Sequence, residues 1–270
     1  MLLHGDQRGS LMLSGAEIHM RAALLAIAVV IWSAWCAQAQ SLRTFCAAAA
    51  KPVQSDSRLS DAVRAVFGPV SFGSKAEECI YPLKVLRYAS ADVLLTQGNV
   101  PGDACHGCSA YLSAYVLRRA GGDLKPVARF VDFAEVGTFG AAGDVSPVTI
   151  GGDDGLAIEG GGAFQGYSFT NLDLYVFRSG HVVHLEASPP IAISADDSGA
   201  RTDGEQPTSV VGSWSVPSAP GNIVEVEVDY KIRAQGRSRV EHLAWTIVGS
   251  RLILTRGRLP TEVTKAGGGG

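Results

Sequence analysis

In the predicted strand Ile223–Arg233 apolar and charged side chains alternate without a break from Val224 onward. Val224, Val226, Val228, Tyr230 and Ile232 fall on one parity, and Glu225, Glu227, Asp229, Lys231 and Arg233 on the other. Successive strand side chains point to opposite faces, so this period of two predicts a strand with one face buried and one wet. The following run, Val240–Val248, puts Leu243, Trp245 and Ile247 on one face, and Leu252–Arg256 comes after a short turn. Together these three segments predict an antiparallel meander that closes a sheet. Upstream, short apolar, β-branched and aromatic runs are separated by Gly, Asp, Asn and Pro. They predict strands at Leu83–Tyr88, Asp92–Thr96, Ala110–Arg118, Pro126–Val136, Pro147–Ile150, Leu156–Glu159, Tyr167–Phe177, His181–Glu186 and Ile191–Ser194. The short connections imply antiparallel neighbours, because parallel pairs need long crossovers. A helix over Ala110–Ala120, stopped by Gly121, is the alternative for one run. The crowding of Tyr111, Tyr115, Val116 and Leu117 favours a strand there.

Helical spacing dominates one place only. Leu59, Ala62, Val63, Val66 and Phe67 recur at that period, Ser55-Asp56-Ser57 offers an N-cap oxygen, and Gly68-Pro69 stops the helix. The predicted fold class is therefore mainly β, an antiparallel meander of sandwich or barrel type with a short N-terminal helix. Residues 40–264 read as one domain, in which the Ser-, Gly- and Pro-rich stretch 195–222 forms a long loop. Residues 265–270 read as a disordered tail.

Residues 20–39 change the picture of where this domain works. Arg21 supplies a positive start, Ala22–Trp35 is uncharged and apolar, and Ala37-Gln38-Ala39 is a small–x–small cleavage pattern. About 14 apolar residues fall short of the roughly 20 that span a bilayer. The segment therefore predicts a cleaved signal peptide and no stable membrane span after cleavage, with a periplasmic or secreted product. Residues 1–19 read as a start-site artefact upstream of Met20. A net charge of −3 argues against a nucleic-acid partner.

Cysteine usage agrees with export. Once Cys36 leaves with the leader, Cys46, Cys79, Cys105 and Cys108 remain, an even number that allows three pairings. Cys46–Cys79 with Cys105–Cys108 is preferred, because the second pair is already local. Cys105-His106-Gly107-Cys108 admits three chemistries. It is a disulfide-closed structural loop, or a redox pair whose Cys105 thiolate is stabilised by a helix starting at Ser109, or a metal site. Two cysteines without a second Cys-x-x-Cys make a poor zinc site. His106 is the candidate catalytic residue if the protein is an enzyme. His181 and His184 stand three apart, on opposite faces of a strand. Asp153 and Asp154 after Gly151-Gly152, and Asp196 and Asp197 near Asp203 and Glu205, are oxygen-rich enough for calcium, although Asp and Gly are also ordinary turn residues. Apart from calcium, no cofactor is expected. Gly160-Gly161-Gly162-Ala163-Phe164-Gln165-Gly166 lacks the spacing and βαβ context of a phosphate cradle and reads as a turn or bulge before the strand at Tyr167. No Gly-x-Ser-x-Gly, Ser-x-x-Lys or His-Glu-x-x-His motif is present.

Three segments, Cys105-His106-Gly107-Cys108, Gly137-Thr138-Phe139-Gly140 and Phe164-Gln165-Gly166-Tyr167, resemble exported proteins of Gram-negative bacteria. The likeness covers roughly residues 80–190 and implies a β-meander domain, export and no particular activity. The expectation is an exported binding domain for a protein partner or small ligand, in which Gly-rich loops on a β scaffold carry recognition. The alternative is a hydrolase or thiol–disulfide protein centred on the Cys105–Cys108 loop.

Overall fold

Asp56 starts the first long element of the chain. Its carboxylate accepts the backbone N–H groups of Arg58 and Leu59 at 2.9 and 3.1 Å, which are free at any helix start. The helix it caps, α2 (Ser57–Phe67), follows a shorter α1 (Ala50–Ser55). Gly68 ends it at φ 74°, a conformation that suits a residue without a Cβ. In this computed structural model, residues 44–74, 79–178, 180–202, 206–217 and 224–263 are described. The expected start-site segment 1–19, the leader 20–39 with Cys36, and the tail 265–270 lie outside the described residues.

Six strands make the first sheet: β1 (Phe45–Cys46), β2 (Phe72–Ser74), β3 (Ile80–Arg87), β4 (Asp92–Gly98), β5 (Ala110–Ala120) and β6 (Asp123–Val136), in the order β2-β1-β3-β4-β5-β6. Both faces of its centre are buried. Leu94, Tyr115 and Leu117 meet Leu59, Ala62 and Val63 of α2 on one face. Val93, Leu95, Leu112 and Ala114 face the opposite way, toward the second sheet. A period of two thus serves two separate cores, and for that reason Val93-Leu94-Leu95 is a continuous apolar run.

The second sheet holds β7 (Asp144–Ile150), β8 (Asp153–Phe164), β9 (Tyr167–Arg178), β10 (His181–Ser188), β11 (Ile191–Asp196), β12 (Ser209–Ser215), β13 (Glu225–Ala234), β14 (Arg237–Val248) and β15 (Arg251–Arg256). Its order is β10-β15-β14-β13-β12-β11-β9-β8-β7, and β10 also pairs with β9. That additional pairing closes a seven-stranded barrel of β9 to β15, from which β8 and β7 extend as a wall. The closure depends on one departure from the ladder. Leu185 pairs with Leu174 and Ile191 with Leu172, so residues 186–190 bulge out of the β9 edge. Glu186, Ala187 and Ser188 pair instead with β15, in parallel. Closing the sheet removes exposed edges that would otherwise invite pairing with other chains. Val226, Val228, Tyr230 and Ile232 of β13, with Leu243 and Trp245 of β14, fill the interior. β8 and β9 serve both cores: Ala157, Leu174 and Val176 face the barrel, whereas Leu156, Ile158 and Tyr175 face the first sheet.

The mainly β fold class, the single N-terminal helical region and the strand at Ala110–Ala120 stand as expected. Three expectations need correction. Residues 195–222 are not one long loop: β11 runs on to Asp196, and Ser209–Ser215 forms β12, sealed between β11 and β13. Its Val210 is buried while Val211 is exposed, so it is an ordinary one-sided strand hidden among small polar residues. The stretch Gly160–Gly166 is a turn only at its end, and its first three glycines are strand. These glycines continue β8 opposite Asn171, Thr170 and Phe169, and the turn is at Gln165-Gly166. Nor is every neighbour antiparallel, since β1–β2, β1–β3 and β10–β15 pair in parallel. Among the described residues, no helix is long and apolar enough to cross a membrane.

Candidate functional site

The glycines of β8 let three backbones come together. A Cβ on Gly161 would lie 1.9 Å from the Phe169 carbonyl oxygen, and one on Gly160 2.9 Å from that of Ala142. Thr138 Oγ1 donates to the Gly161 carbonyl at 2.7 Å, which ties the Gly137–Gly140 loop to the strand. Upon that loop rests Cys105–Cys108. The Gly140 N–H donates to the Cys108 carbonyl at 2.7 Å, and the Phe139 N–H to the His106 carbonyl at 3.3 Å. The His106 ring lies 4.2 Å from the Phe139 ring, and its Nε2 stands 2.6 Å from the Ala163 carbonyl. A carbonyl only accepts, so Nε2 carries the proton and a neutral imidazole has its lone pair on Nδ1. The three motif segments read from the sequence therefore converge around one end of the β8–β9 hairpin.

The cysteines pair as Cys46–Cys79 and Cys105–Cys108. The first pair is buried beside Ala49 and staples the helical layer to the start of β3. In the second pair Cys105 is exposed and Cys108 half-buried. Ser109 leads into strand β5, so no helix dipole points at Cys105. His106 meets a carbonyl and an aromatic ring; among the described residues no carboxylate or hydroxyl hydrogen-bonds to it.

On the other side of the same hairpin tip the barrel opens. Gly166 packs directly on Gly199 and Ala200, where any Cβ would lie 2.2 Å from the Gly199 carbonyl carbon. Beyond this contact is a cleft of about 680 Å³ at the barrel mouth. Tyr167, the end of β11, the start of β12 and the β13–β14 turn form its sides, and Thr261 and Glu262 also line it. Val263 and Leu259, from the same C-terminal segment, pack against the barrel core.

Asp196 and Asp197 lie in this mouth, but they serve as protein ligands. Asp196 accepts the backbone N–H and hydroxyl of Ser198. Asp197 is buried, paired with Arg201 and hydrogen-bonded to the Thr208 N–H. The Arg201 hydrogen bond, reinforced by Thr208, holds the Asp197 carboxyl below the usual carboxylate range. Arg239 is clamped between Glu262 and Glu241, and this arginine keeps Glu262 down at about 2. The Arg237 side chain has no ion-pair or hydrogen-bond partner among the described residues, although it lines the cleft. Among the described residues the mouth thus contains the ion-paired sets Asp197–Arg201 and Glu262–Arg239–Glu241, the Asp196 carboxylate held by Ser198, and one arginine, Arg237, whose side chain has no partner.

Asp153 and Asp154 lie elsewhere, at the start of β8. Asp153 pairs with Arg178, and Asp154 accepts the Ser90 hydroxyl at 2.7 Å. No group of three metal-ligating side chains is present among the described residues. His184 stacks on Tyr175 with ring centroids 4.6 Å apart and lies 3.3 Å from Asp173. His181, opposite Arg178, is on the other face of β10. The mouth was not legible as a site in the sequence. Arg237, Arg239, Glu262 and Tyr167 come from separate segments and carry no shared motif. Its one signal was the Asp196-Asp197 pair, whose meaning depends on Arg201 and Thr208. Comparison with family models, with curated proteins and with solved structures returns no match.

Proposed function

We propose that this chain is an exported binding domain that holds a small polar ligand, through its carboxylate or phosphate group, in the mouth of the barrel. One observation carries the reading: a cleft of about 680 Å³ at a barrel end, in which the Arg237 side chain has no ion-pair or hydrogen-bond partner among the described residues. Small-molecule sites favour such mouths and fall in this size range. The surrounding pairs Asp197–Arg201 and Glu262–Arg239 fix the walls before binding, which keeps the ordering cost low. Tyr167, 42% exposed, presents a ring at the rim against which a ligand body can lie. Export rests on the leader-like segment 20–39 and agrees with the two disulfides, which persist in oxidising compartments.

The test is a calorimetric titration of the protein with succinate and with inorganic phosphate. A charge-assisted hydrogen bond from an arginine contributes about 1.5–3 kcal/mol, so Arg237→Gln should weaken binding about tenfold or more. Binding that is unchanged in Arg237→Gln, or no heat with either probe, would remove the basis of the reading.

A further inference from the structure

We propose that Cys105–Cys108 is a thiol–disulfide exchange site that accepts electrons from a dithiol on a protein or peptide partner. The argument begins from the contrast between the two bonds. Cys46–Cys79 spans a sequence separation of 33 and is buried in a core cluster. Cys105–Cys108 spans a separation of 3, so it removes little chain entropy from the unfolded state. The loop is also held without it. The Gly140 N–H on the Cys108 carbonyl, the Phe139 N–H on the His106 carbonyl, the Cys108 N–H on the Cys105 carbonyl and His106 Nε2 on the Ala163 carbonyl all involve atoms outside the S–S bond. Opening the bond leaves these anchors in place, as a reversible cycle requires.

The two sulfurs are unequal in the way exchange needs. Cys105 is exposed and open to attack, whereas Cys108 is half-buried and its carbonyl is fastened to Gly140. A partner thiolate attacks Cys105 Sγ, a mixed disulfide forms, and the Cys105–Cys108 bond breaks with the electron pair leaving on Cys108 Sγ, which takes a proton. The partner's second thiol, after losing its proton, attacks the mixed disulfide and releases the Cys105 thiolate, which is protonated in turn. The partner ends as a disulfide, and the pair here ends as two thiols, having gained two electrons and two protons. Phe139, 37% exposed beside His106, gives a partner an apolar foothold next to the bond. The inference does not rest on the ligand cleft.

The full-length oxidised protein is incubated with reduced glutathione under native conditions, quenched with N-ethylmaleimide at intervals and mapped by peptide mass. Cys105 and Cys108 are expected to become alkylated about tenfold or more faster than Cys46 and Cys79. In Cys108→Ser, oxidised glutathione should form a mixed disulfide on Cys105, and circular dichroism should stay native. The oxidised protein should also convert a reduced dithiol peptide to its disulfide. Equal resistance of the two bonds, no adduct on Cys105, or a dithiol peptide left reduced overturns the proposal.

Discussion

Removing each disulfide in turn separates the structural bond from the one that is dispensable to the fold. The double variant Cys46→Ala/Cys79→Ala frees a loop with a sequence separation of 33 that contains both helices. In the chain-entropy model, a loop of that length corresponds to about 3.7 kcal/mol at 25 °C. Cys46 is fully buried and Cys79 nearly so, and Phe72, Tyr81 and Val100 pack around them, so lost packing adds to this figure. The same model gives Cys105→Ala/Cys108→Ala only about 1.6 kcal/mol, because its separation is 3. Four hydrogen bonds to neighbouring carbonyls remain to hold that loop. Urea unfolding followed by far-UV circular dichroism and tryptophan fluorescence measures both, with wild type and the two double variants at one pH. The midpoint should fall at least twice as far for the Cys46–Cys79 variant, at an unchanged slope. Equal losses, or a larger loss at Cys105–Cys108, would refute the division of roles and the claim that the second loop stands without its bond.

Other perturbations test the wall and the mouth. Gly161→Ala drives a methyl onto the Phe169 carbonyl and Thr170 Cα, main chain on main chain, and should cost about 3 kcal/mol or more by urea unfolding. Gly162→Ala meets the Thr138 side chain instead and should cost clearly less. The Glu262 carboxyl is held at about 2 against an ordinary 4.5, chiefly by Arg239. A depressed carboxyl contributes stability that is fully present above the unfolded value and lost as pH falls through the folded one. Wild type should therefore lose about 1–2 kcal/mol more than Glu262→Gln between pH 4.5 and 2, once the partial exposure of Arg239 is allowed for. Parallel acid titrations of the two proteins, each followed by urea unfolding, measure that difference.

How much was readable depends on whether a residue's partners lie nearby in the chain. β13 announces itself because one face meets a dry barrel and the other water, and its charges mark the wet side. α2 was equally plain, down to the Asp56 cap and the Gly68 stop. β8 and β9 were partly legible, since strands that serve two cores lose the alternation that marks a strand. β12 was hidden because Ser209, Gly212, Ser213 and Ser215 are turn-forming residues by composition, and only pairing with β11 and β13 makes them a strand. A barrel was one of the two expected architectures, but the strand pairs that close it were not legible. Closure depends on Glu186–Ser188 meeting Arg251–Ile253 in parallel, a contact with no local signal. The cleft inherits that difficulty, because the Asp196-Asp197 pair becomes a wall of the mouth only after closure brings the β13–β14 turn and Glu262 alongside it.

The most direct measurement is a set of amide chemical-shift maps of the protein with increasing succinate or inorganic phosphate. The account expects saturable shifts concentrated at residues 195–201, 206–208 and 234–239, around the mouth, and their loss in Arg237→Gln. Saturable shifts centred elsewhere on the domain, or shifts at the mouth that survive Arg237→Gln, would contradict it.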